Sequence, residues 1–241
     1  MNINKECDLF LSDVYSYDIS SCHFNILKRL GYNVSALSDD KLEKNTQIGL
    51  MMRENPRLTN IVRSITNSTI DKYLLVNGIE SNDLIIRQYD GFLTKKMLHT
   101  INIDGLPLDL RECYQSFLIT INRDWYLAFN GFKVEIKGIP YRYEGIDLVY
   151  QRLMKTNFGS KKAIFNTLQK IKEKLLNNTD ARMFCIPNED STVYTVFIKR
   201  YGEIEISPSM VKIMDTDDID KQRYFDFYIR PFTESITLEF L

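Results

Sequence analysis

The sequence predicts a mixed α/β (α+β) fold, with an antiparallel sheet backed by helices and a helical region after about residue 145. Three observations predict it. Short β-favouring runs recur, and two pairs of them are joined by Asp90–Gly91 and Asn130–Gly131, dipeptides that favour tight hairpin turns. Between Ser38 and Gly78 the apolar residues fall at helical spacing instead. From Ile146 to Leu176 the pattern is again helical, with a break at Gly159–Ser160.

Val14–Ile19 is the first expected strand, ending in the polar cluster Asp18–Ser21. Phe24–Leu30 reads as a short helix closed by Gly31. Ser38 is the expected cap of a second helix through Lys41, Asn45, Gly49 and Met52, which Asn55–Pro56 would stop. A third helix carries Leu58, Ile61, Val62, Ile65 and Leu74, with Gly78 after it. Leu84–Tyr89 and Phe92–Thr94 form the first hairpin. Phe117–Ile121, Trp125–Phe129 and Phe132–Ile136 supply a strand-rich middle. The helix expected to end at Leu176 carries Lys161, Lys162, Lys170, Lys172 and Lys174, with Lys155 nearby. Such a run is a solvated face, or a surface for a phosphate backbone. Thr192–Lys199 and Glu203–Ile206 alternate as strands, and residues 180–241 are expected to be strand-rich. The acidic stretch Asp215–Asp220 reads as a solvated loop.

Composition narrows the chemistry. The chain has 241 residues, 44% hydrophobic and 26% charged, enough for a substantial core. No apolar run approaches the roughly 18–20 residues that span a bilayer. The start, MNINKECDLF, has neither the basic end nor the apolar stretch of a secretory signal, so an intracellular, cytoplasmic protein is expected. Cys7, Cys22, Cys113 and Cys185 make no CxxC pair, which disfavours structural zinc and a disulfide framework. With His23 and His99 the only histidines, metal chemistry would use oxygen ligands and therefore magnesium or manganese. The net charge of -1 means that a polyanion partner would have to be held by a local basic groove.

Three segments, in order, carry the chemistry. In Asp18–Ile–Ser20–Ser21–Cys22–His23 a strand ends in aspartate and turns into a helix. In the second expected helix Lys41, Asn45 and Gly49 are four apart and share one stripe, offering a cation, an amide and a position small enough for a flat base. In Gln88–Tyr89–Asp90–Gly91 an aspartate stands at a hairpin tip. Taken singly, a turn or a helix cap accounts for either aspartate. Together, two carboxylates distant in sequence and adjacent on a sheet could hold divalent metals for phosphoryl transfer, with a lysine to neutralise phosphates.

These segments resemble the family B DNA polymerases. The first resembles motif A, an aspartate followed by Ser-Leu-Tyr-Pro-Ser-Ile. The second is similar to motif B, Lys-x-x-x-Asn-Ser-x-Tyr-Gly, with Thr46 for the serine and Ile48 for the tyrosine. The third resembles motif C, Asp-Thr-Asp-Ser or Asp-Thr-Asp-Gly, with Gln88 at its first aspartate. Trp125–Tyr126 and Ile136–Lys137–Gly138, with Arg142 beyond, resemble segments that grip the primer–template duplex, although Asp124 stands where a lysine would. The resemblance covers residues 12–160. Family A polymerases offer a competing match for motif A, and both imply the same aspartates.

The resemblance implies a polymerase palm over residues 1–144 and a thumb-like region over 145–241, with reduced fingers and no exonuclease domain. It implies that Asp18 and Asp90 bind Mg2+ or Mn2+, that Lys41 touches a nucleoside triphosphate, and that Asn45 lines the nascent base pair. His23 would sit under the incoming sugar, and the backbone N–H groups of Ser20, Ser21 and Cys22 would face the phosphates. Tyr126, Lys137, Gly138 and Arg142 would contact the primer–template. Three functions are compatible: a minimal viral or phage polymerase, one chain of a split polymerase whose partner carries fingers and exonuclease, and an inactive palm that serves as a binding module.

Overall fold

The structure is a computed structural model that describes residues 3–34, 37–138, 161–188, 190–228 and 230–238. The chain forms two compact units, Met1–Cys7 with Val14–Cys113, and Asp8–Asp13 with Tyr114–Leu241. Strands and helices mix in both, as the fold class expected.

The first unit contains β2 (Val14–Ile19), α1 (Cys22–Arg29), α2 (Lys41–Glu54), α3 (Pro56–Val76), β3 (Leu84–Arg87), β4 (Gly91–Thr94), β5 (Asn102–Ile103) and all but the last residue of β6 (Leu106–Tyr114). The strand β1 (Phe10–Leu11) belongs to the other unit. The sheet order is β3–β4–β2–β6–β5, with β4 antiparallel to both β2 and β3. Alternation sorts β2: Tyr15, Tyr17 and Ile19 join the cluster formed with Ile26, Leu27, Val62, Ile70 and Tyr73 of the helices. Asp18 lies on the opposite face. On β6, Leu106 and Leu108 join the same cluster, which leaves Asp109 and Arg111 on the other side.

Local chemistry sets the helix boundaries. Asp40, not Ser38, caps α2: its carboxylate accepts the Glu43 N–H at 2.9 Å. Ser38 Oγ instead meets the Glu43 carboxylate at 2.6 Å and accepts the Asp40 N–H at 3.2 Å, which completes the start of the helix from one residue further out. Asn55 ends α2 and caps α3 by accepting the Leu58 N–H at 3.1 Å, and Pro56 begins α3 where its missing N–H costs nothing. The buried Tyr73 hydroxyl ties α3 to the β5–β6 hairpin, accepting from Ile103 N–H at 2.9 Å and donating to the Leu106 carbonyl.

In the second unit β1 lies beside β7 (Ser116–Ile119), β8 (Tyr126–Phe129) and β9 (Val134–Lys137) in one antiparallel sheet. A second sheet holds β10 (Ile186–Pro187), β11 (Tyr194–Ile198) and β12 (Gly202–Ile206). The helix α4 (Lys161–Leu176) buries Ile164, Leu168, Ile171 and Leu175 against Leu118, Leu127 and Val134. That shared core is why β7–β9, expected within a palm over residues 1–144, belong to the compact unit of Asp8–Asp13 and Tyr114–Leu241. Of the lysines on α4, Lys161 lies over Phe10 and Lys172 over Phe225, while Lys162, Lys170 and Lys174 are exposed. The end of the chain departs from the strand-rich expectation. After β12 come α5 (Pro208–Val211), α6 (Lys221–Tyr228) and α7 (Arg230–Leu238), with Tyr224, Phe225, Phe232 and Ile236 buried. Expected features within residues 139–160, including Arg142, lie outside the described residues.

Candidate functional site

Asp18 and Asp90 meet because β2 pairs with β4. Asp18 stands opposite Gly91, and the Ile19 N–H donates to the Asp90 carbonyl at 2.8 Å. The tip that carries Asp90 is held by Gln88 N–H donating to the Gly91 carbonyl at 2.9 Å. A side chain at position 91 would collide with the backbone of β2, since a Cβ there would lie 2.2 Å from the Tyr17 carbonyl oxygen. Glycine is therefore required by close approach, not by a positive φ.

Electrostatics follow from that pairing. Burial raises the Asp18 pKa above the usual carboxylate value, and the neighbouring Asp90 charge raises it further. The Arg111 guanidinium, 3.4 Å from Asp18 Oδ2, pulls the other way without reversing the shift. Among the described residues, no hydrogen bond is made to the buried Asp18 Oδ1. A buried oxygen left without a donor beside a second carboxylate is a fit for a hard divalent cation. Among the described residues no third Asp, Glu, His or Cys joins them as a ligand cluster. Mg2+ is commonly held by one or two carboxylates, with substrate phosphates and water completing its shell.

A cleft of about 850 Å³ opens beside the pair. Its walls include Lys41, Asn45 and Gly49, the stripe expected from the spacing on α2, and a Cβ at Gly49 would meet nothing within 4 Å. Ser21, Cys22 and His23 line it from the start of α1. Ser21 has φ 47°, ψ 44°, a left-handed turn that, with Ser20, takes the chain from strand to helix without a side-chain cap on the first-turn amides. The Cys22 thiol is buried against Thr66 Oγ1 at 3.4 Å, and burial, with the Asp90 and Asp18 charges, pushes its pKa up to about 11. Burial favours neutral His23, opposed by the Asp90 charge. The His23 ring lies 5.3 Å from that of Tyr89, and the Arg63 guanidinium lies 6.0 Å from the Tyr89 ring.

Other expected residues fall elsewhere. The Ser20 N–H donates to the Pro107 carbonyl at 2.8 Å, so the sheet has taken that amide, and of these three residues Ser21 and Cys22 line the cleft. Tyr126 is 1% exposed and stacks on Phe117 with centroids 4.4 Å apart, which makes it a core side chain and not a platform for bases. Its phenol pKa is pushed upward by burial and by the Glu135 charge. Lys137 is exposed and pairs with Glu135 at 3.2 Å, and Gly138 is exposed at φ 95°. Neither Tyr126, Lys137 nor Gly138 is among the residues that line the cleft around Asp18.

Arg63, Lys44 and Arg111 line the cleft and were not singled out by sequence. A signal for Arg111 existed: Leu106, Leu108 and Leu110 alternate with Asp109 and Arg111, the period of a half-buried strand. Lys44 lies 5.3 Å from the Phe24 ring centroid.

Residues 3–187 match the family model described as Bacteriophage PBS1 gene 130 protein. No curated protein matches the sequence. In structure the chain is similar to the family B DNA polymerase from the hyperthermophilic archaeon Pyrobaculum calidifontis, with a TM-score of 0.53 and 11% identity. The similarity covers 98% of this chain and 46% of that one, so the chain spans less than half of that polymerase's length. At this identity the likeness is one of fold. No helix among the described residues is long and apolar enough to cross a membrane.

Proposed function

The chain belongs to the bacteriophage PBS1 gene 130 protein family, and we propose that it is a template-dependent nucleic-acid polymerase of palm-and-thumb type that acts in the cytoplasm of an infected host. The observation that carries this reading is the Asp18–Asp90 pair with its unpartnered buried oxygen, facing a cleft that also holds Lys41 and Asn45. Asp18 and Asp90 would hold Mg2+ or Mn2+. Bound there, the metal would offset charge on the reacting phosphate and align the attacking and departing oxygens. Lys41 would neutralise the triphosphate, and Asn45 and the open surface at Gly49 would lie along the base pair. The free amides at the start of α1 would meet phosphate oxygens at the positive end of the helix. His23, backed by Tyr89, would lie against the sugar. Lys137 and Gly138 are kept as contacts to a primer–template, and Tyr126 is not.

Primer extension by the purified chain with Mg2+ or Mn2+, beside Asp18→Asn and Asp90→Asn, tests the proposal. Extension that disappears in both variants is expected. Extension unchanged in either variant would overturn the assignment of that carboxylate.

A second reading is an inactive palm that binds nucleic acid. It is favoured by the guanidinium beside Asp18, a cation already placed where a metal would bind. Metal-independent primer–template binding without extension would select it. Extension restored by a second chain would instead identify one subunit of a split enzyme.

A further inference from the structure

Arg111 makes two contacts, both long for a guanidinium–carboxylate pair: 3.4 Å to Asp18 Oδ2 and 3.5 Å to Asp109 Oδ2. Elsewhere in the molecule Arg87 meets Asp71, and Arg182 meets Asp180, at 2.6 Å. Arg111 is therefore held loosely between two acids, and its side chain is 47% exposed on the wall of the cleft. Because Leu106 and Leu108 anchor β6 in the core, the backbone at Arg111 is fixed while the guanidinium is free to turn.

Charge balance gives this looseness a consequence. Among the described residues Arg111 is the cation paired with Asp18. A divalent cation on Asp18 and Asp90 would take over that neutralisation and repel the guanidinium at short range. Asp109 alone would then hold it, on the side of a cleft meant for a triphosphate, whose oxygens suit the planar guanidinium fork.

Building on the nucleotidyl-transfer reading, we infer that Arg111 is the exchange cation of the site: it occupies Asp18 in the metal-free protein and turns to the phosphates of the nucleoside triphosphate when metal binds. It thus opposes the bare metal and favours the metal–nucleotide complex.

The test uses the full chain as wild type, Arg111→Gln, Arg111→Lys and Asp18→Asn. Binding of Mn2+ alone is followed by the resonance of the free ion. Binding of a fluorescent, non-hydrolysable nucleoside triphosphate is followed at saturating Mn2+. Arg111→Gln is expected to bind Mn2+ alone about 5-fold tighter and the Mn2+–nucleotide about 10-fold weaker, within the usual range of coupling between ligands. A purely structural arginine would shift both affinities in the same direction. Arg111→Lys keeps the charge without the fork, so Mn2+ affinity stays near wild type while nucleotide affinity falls; this variant also serves if Arg111→Gln melts early. Unchanged or weaker Mn2+ binding in Arg111→Gln, while Asp18→Asn loses the metal, overturns the role of Arg111 alone. Mn2+ affinity unaltered in Asp18→Asn overturns the metal site, and the exchange with it.

Discussion

Gly91 lies opposite Asp18 in the β2–β4 pairing, so close that a Cβ on it would stand 3.1 Å from the Asp18 Cα and 2.2 Å from the Tyr17 carbonyl oxygen. The missing side chain lets the hairpin tip close on β2, and that closure carries Asp90 to Asp18. Gly91→Ala must push backbone against backbone, and no flexible side chain can yield. A destabilisation of about 3 kcal/mol or more is expected, read as a lower urea midpoint. Mn2+ affinity should also fall at temperatures where the variant remains folded. A variant with wild-type midpoint and affinity would show that β2 and β4 need not approach so closely.

The raised Asp18 pKa sets a pH dependence with a definite sign. In the folded chain the proton is held more tightly than in the unfolded chain, chiefly through burial and then through Asp90. The charged carboxylate therefore opposes folding above its folded pKa, and that opposition vanishes below the unfolded value. In metal-free buffer Asp18→Asn should melt higher than wild type near neutrality. The gain should be below about 1 kcal/mol, because the side chain is partly open to screening solvent. It should shrink to nothing as pH falls below the ordinary carboxylate range. A gain that persists at low pH would mean that charge is not its cause.

The cap of α2 links local chemistry to the cleft. Ile48 is the only buried residue of this helix, so its hydrogen bonds depend heavily on its start. Removing the carboxylate in Asp40→Ala should cost about 1 kcal/mol, which is about 5-fold faster amide exchange along α2. Ser38→Ala should cost less, since its hydroxyl supports the cap from outside. Nucleotide affinity should follow the same order, because Lys41 is the first residue of the helix. Equal exchange rates in both variants would return the cap to Ser38.

Elements with a strong local signal were legible in the sequence. The strand Val14–Ile19 has its expected bounds, and the helices before and after Asn55–Pro56 and the hairpins at Asp90–Gly91 and Asn130–Gly131 lie where turn chemistry puts them. The cap of α2 falls on Asp40 and not on Ser38 because two oxygen-bearing side chains compete at its start, and only hydrogen-bond geometry distinguishes them. The strand β6 went unread although it alternates, and with it Arg111. The helices after Ile206 were missed where aromatic residues, at home in strands or helices, take their form from the core they fill.

For the site, the sequence alone placed two aspartates at strand and hairpin ends and put Lys41, Asn45 and Gly49 on one stripe, because periodicities of two and 3.6 are local properties of the backbone. Tertiary structure alone decided that β6 lies beside β2, which set Arg111 against Asp18. It also decided that Tyr126 is core and that the Ser20 amide belongs to the sheet. Burial and charge neighbours are made by chain segments far apart in sequence, and no local pattern encodes which of them will meet.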